Sequence, residues 1–186
     1  SQLDAVPAIC LGTPDISVFE MVGANSTYAN KGTYVQPTFI TRIEDKNGKV
    51  LEEFIPNTDE VFSEEKAYVM IQLMRGVCDY GTGTRLRFKH NLRNEIAGKT
   101  GTTNDNYDVW FIGYTPDLVA GVWMGFDQAR SLGVREMGGH AATPIWVDYM
   151  KDALADRPVT DFLVPDGITF AQIDSKTGKL ATTKSG

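Results

Sequence analysis

The sequence predicts an α+β fold, an antiparallel sheet flanked by helices. Two observations point to it. Val109–Tyr114 and Leu118–Phe126 are apolar runs rich in aromatic and β-branched residues, and the tight turn Thr115-Pro116-Asp117 joins them. That is the pattern of consecutive antiparallel strands. The helical stretches lie in blocks before and after these runs, so the order is not that of a parallel βαβ sheet.

The elements follow in chain order. Ser17 and Glu20 are spaced as a capping box, which predicts a helix over 17–30 with Gly32 as its stop. Tyr34–Glu44 and Lys49–Phe54 read as a hairpin around Asn47-Gly48, a pair that favours a type I′ turn. Pro37 places the first of these strands at an edge or starts it late. Ser63-Glu64-Glu65 opens a second helix with acids at its positive end. Val69, Ile71, Leu73, Met74 and Val77 supply its apolar face, and Gly81-Thr82-Gly83-Thr84 ends it. Ile96–Thr103 adds a strand to the later pair, and the central strands of this meander are expected to be buried on both faces. Gly138-Gly139 marks a loop. Pro144 fits the first turn of a last helix, which runs to about Leu154. From about Pro158 the chain is polar and rich in Gly, Lys and Thr. The expected division is a domain over 1–157, then a tail or the start of a further segment over 158–186.

Composition narrows the function classes. The chain has 186 residues, 42% of them hydrophobic and 23% charged, which fits one globular domain or a large piece of one. A net charge of -6 and the lack of a Lys/Arg stripe argue against nucleic acid as a partner. No apolar run reaches the ~18 residues that a membrane span needs. The opening Ser1-Gln2-Leu3-Asp4 is polar and lacks Met. The expectation is a piece of a longer chain, whose membrane anchor or export signal lies upstream. Cys10 and Cys78 are far apart and read as small core residues. With only His90 and His140 beside them, no metal and no cofactor is predicted, and a Ser-His-Asp triad is disfavoured.

The chemistry centres on Lys99-Thr100-Gly101-Thr102. Gly98-Lys99-Thr100 imitates the end of a phosphate-binding loop, but Arg93 stands where that loop needs glycine, and the residues that follow lead into strands. On a strand, Lys99 and Gly101 face one way and Thr100 and Thr102 the other. The lysine supplies a positive potential. The glycine lets a substrate backbone approach, the hydroxyls can bond a carboxylate, and an edge N–H can stabilise an oxyanion. Taken alone, the same residues describe a strand end with a snorkelling lysine. Asn104 and Asp105 either shape a cleft or form a turn. Asp108 reads as a charge at a strand start, and His140 as a residue on the cleft rim.

The surroundings of this motif carry a resemblance. Ala97–Asn104 is followed by Asp108-Val109-Trp110-Phe111-Ile112-Gly113-Tyr114-Thr115-Pro116, then by Ala120-Gly121-Val122-Trp123-Met124-Gly125-Phe126-Asp127. Gly12-Thr13, Glu20-Met21, Tyr28–Gly32, Gly81–Thr84 and the run from Gly139 to Trp146 add to it. Over roughly 9–155 the chain resembles the transpeptidase domain of class A, bifunctional penicillin-binding proteins. The resemblance implies the penicillin-binding/serine β-lactamase-like fold. It also implies a peptidoglycan D,D-transpeptidase, in which a serine attacks the penultimate D-Ala of a stem peptide and the acyl-enzyme passes to a neighbouring amine. β-Lactams are trapped in the same way, so stem peptides and β-lactams are the expected partners. By motif position Lys99 and Thr102 would be catalytic, Lys99 as cation and Thr102 as N–H donor to the oxyanion. Thr100, Gly101, Thr102 and Thr103 would contact substrate. The implied location is the periplasmic or extracytoplasmic face of the inner membrane.

The family orders its motifs Ser-x-x-Lys, Ser-x-Asn, Lys-Thr-Gly, and the first two are not found. Ser63-Glu64-Glu65-Lys66 matches the first as a string, but it stands far too close to Lys99 for the family, and a helix N-cap accounts for it. Tyr28-Ala29-Asn30 imitates the second at the end of a helix. The expectation is the C-terminal half of a transpeptidase domain, with the nucleophile upstream and the isolated chain inactive. A sheet lacking a strand would expose an edge and favour self-association. Two other classes stand beside this one. A non-catalytic penicillin-binding-like module would bind peptidoglycan or a protein partner and would lack Ser-x-x-Lys in its full length. A plain interaction domain would leave a β-lactam unreacted.

Overall fold

The computed structural model describes residues 3–181. The polar opening at Ser1-Gln2 and the Lys184-Ser185-Gly186 end of the expected tail lie outside them. A 3-10 turn at Pro7–Leu11 leads to α1 (Val18–Ala29). The expected capping box is formed. Ser17 Oγ accepts from Glu20 N–H at 3.2 Å, and the Glu20 carboxylate accepts from Ser17 N–H at 3.0 Å. The helix stops where Lys31 and Gly32 turn left-handed, with φ 56° and 90°. A side chain at Gly32 would also strike the Phe62 carbonyl oxygen.

The strand expected from Tyr34 to Glu44 is two short strands, β1 (Thr33–Val35) and β2 (Arg42–Glu44). Pro37, without an N–H, lies between them. Only β2 makes the hairpin, with β3 (Val50–Glu53), while β1 pairs with β4 (Thr58–Glu60). The hairpin turn is not type I′, because Gly48 takes φ 81° while Asn47 stays outside the left-handed region. Gly48 N–H closes on the Asp45 carbonyl, and the Asp45 carboxylate accepts the N–H groups of Asn47 and Lys49. The result is a type I turn with a bulge, for which a side-chain acceptor before the turn is enough.

α2 (Glu64–Asp79) starts and stops as expected, but its face is turned. Ala67, Tyr68, Ile71, Met74 and Cys78 are buried, whereas Val69 and Leu73 are 51% and 65% exposed. The buried stripe has the i, i+4, i+7, i+11 spacing of a helix packed on one side. Burial pushes the Cys78 thiol up to about 12 and raises the Tyr114 phenol, whose hydroxyl meets Met74 Sδ at 3.2 Å. Cys10, also expected in the core, is exposed.

After the short α3 (Arg85–Phe88), β5 (Ala97–Thr102), β6 (Val109–Tyr114) and β7 (Val119–Met124) form the predicted antiparallel meander, in the order β5-β6-β7. Only β6 is buried on both faces; β7 is half-exposed along most of its length, and among the described residues nothing pairs with its outer edge. α1 packs on the face that carries Ile112 and Gly121, where a side chain at Gly121 would meet Val22 at 2.8 Å. α4 (Ala142–Leu154) packs on the other face and α2 against β5. The α4 contact is centred on Trp146, fully buried, with its ring at 76° to that of Phe111. Trp146 Nε1 donates to the carbonyls of Ala120 and Gly113, and a side chain at Gly113 would strike the indole at 2.7 Å. Burying this side chain is worth roughly 5 kcal/mol.

The chain after Pro158 returns across the domain before it departs. Phe162 is 7% exposed and stands edge-on to Tyr114 in a cluster with Tyr68, Ile71, Met74 and Ala97. Its N–H donates to Glu95, which pairs with Arg75 at 2.6 Å. Further on, Ile173 and Leu180 meet in an isolated bridge. Phe162→Ala is expected to cost about 3 kcal/mol, read as a fall in the urea unfolding midpoint. An unchanged midpoint would mean that the segment contributes nothing to the fold.

Candidate functional site on the β5 edge

β5 is an edge strand, paired with β6 from Ala97↔Tyr114 to Thr102↔Val109. Just past its end, Thr103 N–H donates to the Asp108 carbonyl at 3.0 Å, toward β6. Strand alternation then points the N–H and C=O of Thr102 and Thr100 to the free edge. Lys99 agrees with this geometry, since its Nζ reaches around to the Thr100 carbonyl at 2.8 Å. Lys99 is exposed, and among the described residues no carboxylate forms an ion pair with it. The edge therefore combines a cation free to meet an anion, outward N–H donors and an outward carbonyl.

The two faces of β5 differ as the alternation requires. Gly101 lies on the face of Lys99, directly opposite Trp110, whose Cβ would be 3.0 Å from a side chain added at Gly101. Its bareness thus serves the sheet as well as any approaching ligand. Thr100 and Thr102 lie on the other face, and both hydroxyls already have partners. Thr100 Oγ1 is 2.6 Å from Thr82 Oγ1, and Thr102 Oγ1 accepts from Gly138 N–H at 3.1 Å. Because a lone pair of Thr102 is occupied by an N–H, its proton is left to point elsewhere.

Thr82 and Gly138 were not singled out from the sequence as site residues. The available signal was the glycine around them. Gly81 and Gly83 allow the turn after α2 to close on its last residues, where added side chains would come within 2.9 and 3.1 Å of Val77. A side chain at Gly139 would meet the Thr82 carbonyl at 2.9 Å, and one at Gly138 would run into the Trp110 and Gly101 carbonyls. Two glycine-bearing segments thus close on this end of β5, the loop at Gly138 on the strand backbone and the turn at Thr82 on the loop at Gly139. His140, expected on a cleft rim, is exposed, and its ring bonds to no member of the site.

Thr103 is separated from the group. Its hydroxyl accepts from Asp108 N–H at 2.8 Å, and Asp108 Oδ1 accepts from Trp123 Nε1 at 2.9 Å, so both residues close the β5–β6 connection. Within that connection Asp105 and Asn106 have φ of 58° and 55°. They are held there by Ser131, which donates to the Asp105 carbonyl, and by Asn106 Nδ2, which donates to the Gly133 carbonyl. A shallow groove lined by Asn106, Tyr107, Arg130, Ser131 and Met137 opens beside this loop. A more enclosed cleft of about 460 Å³, lined by Tyr28, Tyr68, Pro116 and Phe162, lies at the other end of the sheet, roughly 17 Å along β5 from Thr102. Ser63 sits at the N-cap of α2, one helix length of roughly 24 Å from the turn that carries Thr82.

Gly138→Ala is expected to displace the loop from β5 and cost about 1–3 kcal/mol. Equilibrium unfolding checks this, and an unchanged stability would mean that the loop can lift away freely.

Comparison with known proteins places this geometry. Residues 8–151 match the family of penicillin binding protein transpeptidase domains. The chain is 38% identical over 169 residues to penicillin-binding protein 1A of Aquifex aeolicus, covering 91% of this chain and 23% of that protein. It is 39% identical over 183 residues to penicillin-binding protein 2D of Bacillus subtilis, covering 96% and 26%. A crystal structure of penicillin-binding protein 1A from Haemophilus influenzae superposes over the whole chain and 33% of its own, with a TM-score of 0.89 at 27% identity. The chain spans about a quarter of the length of these curated relatives. With the α+β fold, the Lys99–Thr102 edge strand and this match together, the chain belongs to the penicillin-binding protein transpeptidase family and is related to its class A members.

Proposed function

We propose that this chain forms the β5 wall of a serine-type D,D-transpeptidase site, one that cross-links peptidoglycan stem peptides and is acylated by β-lactams. The observation that carries the reading is the edge of β5, which among the described residues is free and where Lys99, with no ion pair among them, stands beside the outward N–H of Thr102. An extended peptide can add to such an edge as a strand, with its backbone bonded to Thr100 and its carboxylate near Lys99. In this reading Lys99 supplies the positive potential that orients donor and nucleophile. Thr102 N–H donates to the oxyanion, and the Thr100 and Thr102 hydroxyls contact the substrate carboxylate. Gly101 keeps the strand open to close approach, and Thr103 contributes by fixing the loop that follows.

The nucleophile, in this proposal, is a serine on a part of the protein outside residues 1–186. The full protein works at the extracytoplasmic face of the inner membrane, held by an anchor that is also outside this chain. Among the described residues no helix is long and apolar enough to cross a membrane. The free outer edge of β7 supports self-association of residues 1–186 taken alone. Sedimentation should show mass rising with concentration, and a clean monomer at high concentration would count against this.

Labelling with a fluorescent penicillin tests the catalytic reading. Residues 1–186 alone should not be labelled. The full-length protein should be labelled, and Lys99→Ala should slow that labelling about 100-fold. Equal rates for Lys99→Ala and the unsubstituted protein would overturn the role of Lys99. Stoichiometric labelling of 1–186 would place the nucleophile within it, and Ser63→Ala would then show whether Ser63 is that residue.

A further inference from the structure

Thr82 belongs to no part of the motif on β5, yet its hydroxyl is the only partner of the Thr100 hydroxyl among the described residues, at 2.6 Å. Its own position is tightly constrained. Gly81 and Gly83 pack against the end of α2, and its carbonyl lies under Gly139. Thr82 is exposed and Thr100 half-buried, so the pair is open to solvent and not sealed in the core. Lys99 Nζ sits at the Thr100 carbonyl, 2.8 Å away, on the same stretch of edge.

Two hydroxyls in mutual contact use one proton between them and leave one to donate outward. Without a ligand, either can be the donor. An anion settles the direction, because it accepts a hydrogen bond from the hydroxyl it meets and leaves that oxygen's lone pair for the other hydroxyl. We propose that Thr82 is a ligand-positioning residue of this site: it donates to Thr100 Oγ1, so that Thr100 donates to the carboxylate of the acyl donor. The chain Thr82 O–H to Thr100 O–H to carboxylate strengthens its last bond by polarisation and fixes the Thr100 rotamer. Thr82 thereby favours donors that bear a carboxylate over uncharged analogues. This rests on the reading of β5 as the substrate-binding strand.

The test uses the full-length protein, with benzylpenicillin and its methyl ester as the two acylating probes. Thr82→Val keeps the shape and removes the hydroxyl; Thr82→Ser keeps the hydroxyl. Thr82→Val should lower the second-order acylation rate constant for the acid about 5- to 10-fold and leave that for the ester unchanged. Thr82→Ser should stay within about 2-fold of the unsubstituted protein for both probes. An unchanged rate for the acid in Thr82→Val overturns the proposal. An equal fall for acid and ester also overturns it, since that is the mark of a displaced strand and not of a lost hydroxyl. If the unsubstituted protein is acylated by neither probe, the proposed function fails, and this inference fails with it.

Discussion

The rest of the structure depends on the seating of Trp146 over Gly113. The indole needs a strand residue without a side chain beneath it, two carbonyls for its N–H and an aromatic edge beside it, and β6 and β7 supply all of these. Its burial fixes α4 to the sheet in depth and in rotation. The loop that enters α4 is fixed with it. Thr143 Oγ1 donates to the Gly138 carbonyl at 3.0 Å, so the first turn of the helix holds the glycine pair that lies on β5. A packing contact in the core thus decides where Gly138 N–H meets Thr102.

The β5 site is therefore supported more from behind than from within. Its two motif hydroxyls are held by groups from other segments, one by the turn after α2 and one by the loop before α4. Lys99, Thr102 N–H and the Thr100 carbonyl are left to the open edge. A strand carrying the same four residues without those supports would have free rotamers at both threonines and a less defined edge. Glycine makes the supports possible, since at Gly138 and Gly139 the backbones come closer than a Cβ permits.

The other end of β5 is supported in a different way. Glu95, just before the strand, bonds Arg75 of α2 and the backbone of Phe162. Phe162 in turn completes the cluster around Ala97 and Tyr114. The stretch from Pro158 reads as tail because its Gly, Lys and Thr are concentrated toward the end, whereas 158–168 itself carries Val159, Phe162, Leu163, Val164 and Ile168. Phe162 and the half-buried Ile168 pack on the cluster, Thr160 bonds Asp117, and the Phe162 N–H bonds Glu95, and together these return it to the domain. The Val69 and Leu73 face of α2 shows the opposite case, in which apolar residues in a helical pattern remain exposed. Composition weighs all residues alike, whereas packing depends on which of them the neighbouring element reaches.

By itself the sequence determined the local rules: the Ser17–Glu20 cap, the stops at Gly32 and Gly81, the β5–β6–β7 meander and the alternation that separates Lys99 and Gly101 from Thr100 and Thr102. Each of these is set by residues within a few positions of one another, and the flanking motif was specific enough to carry the family. Tertiary structure decided the rest. It broke the first strand at Pro37, replaced the type I′ turn because Asp45 offered a nearer acceptor, turned α2 on its axis and brought Phe162 home. It also drew Thr82 and Gly138 to the motif hydroxyls. Those contacts join residues 18 and 36 positions apart, and no local pattern encodes a distance that exists only once the helices have packed on the sheet.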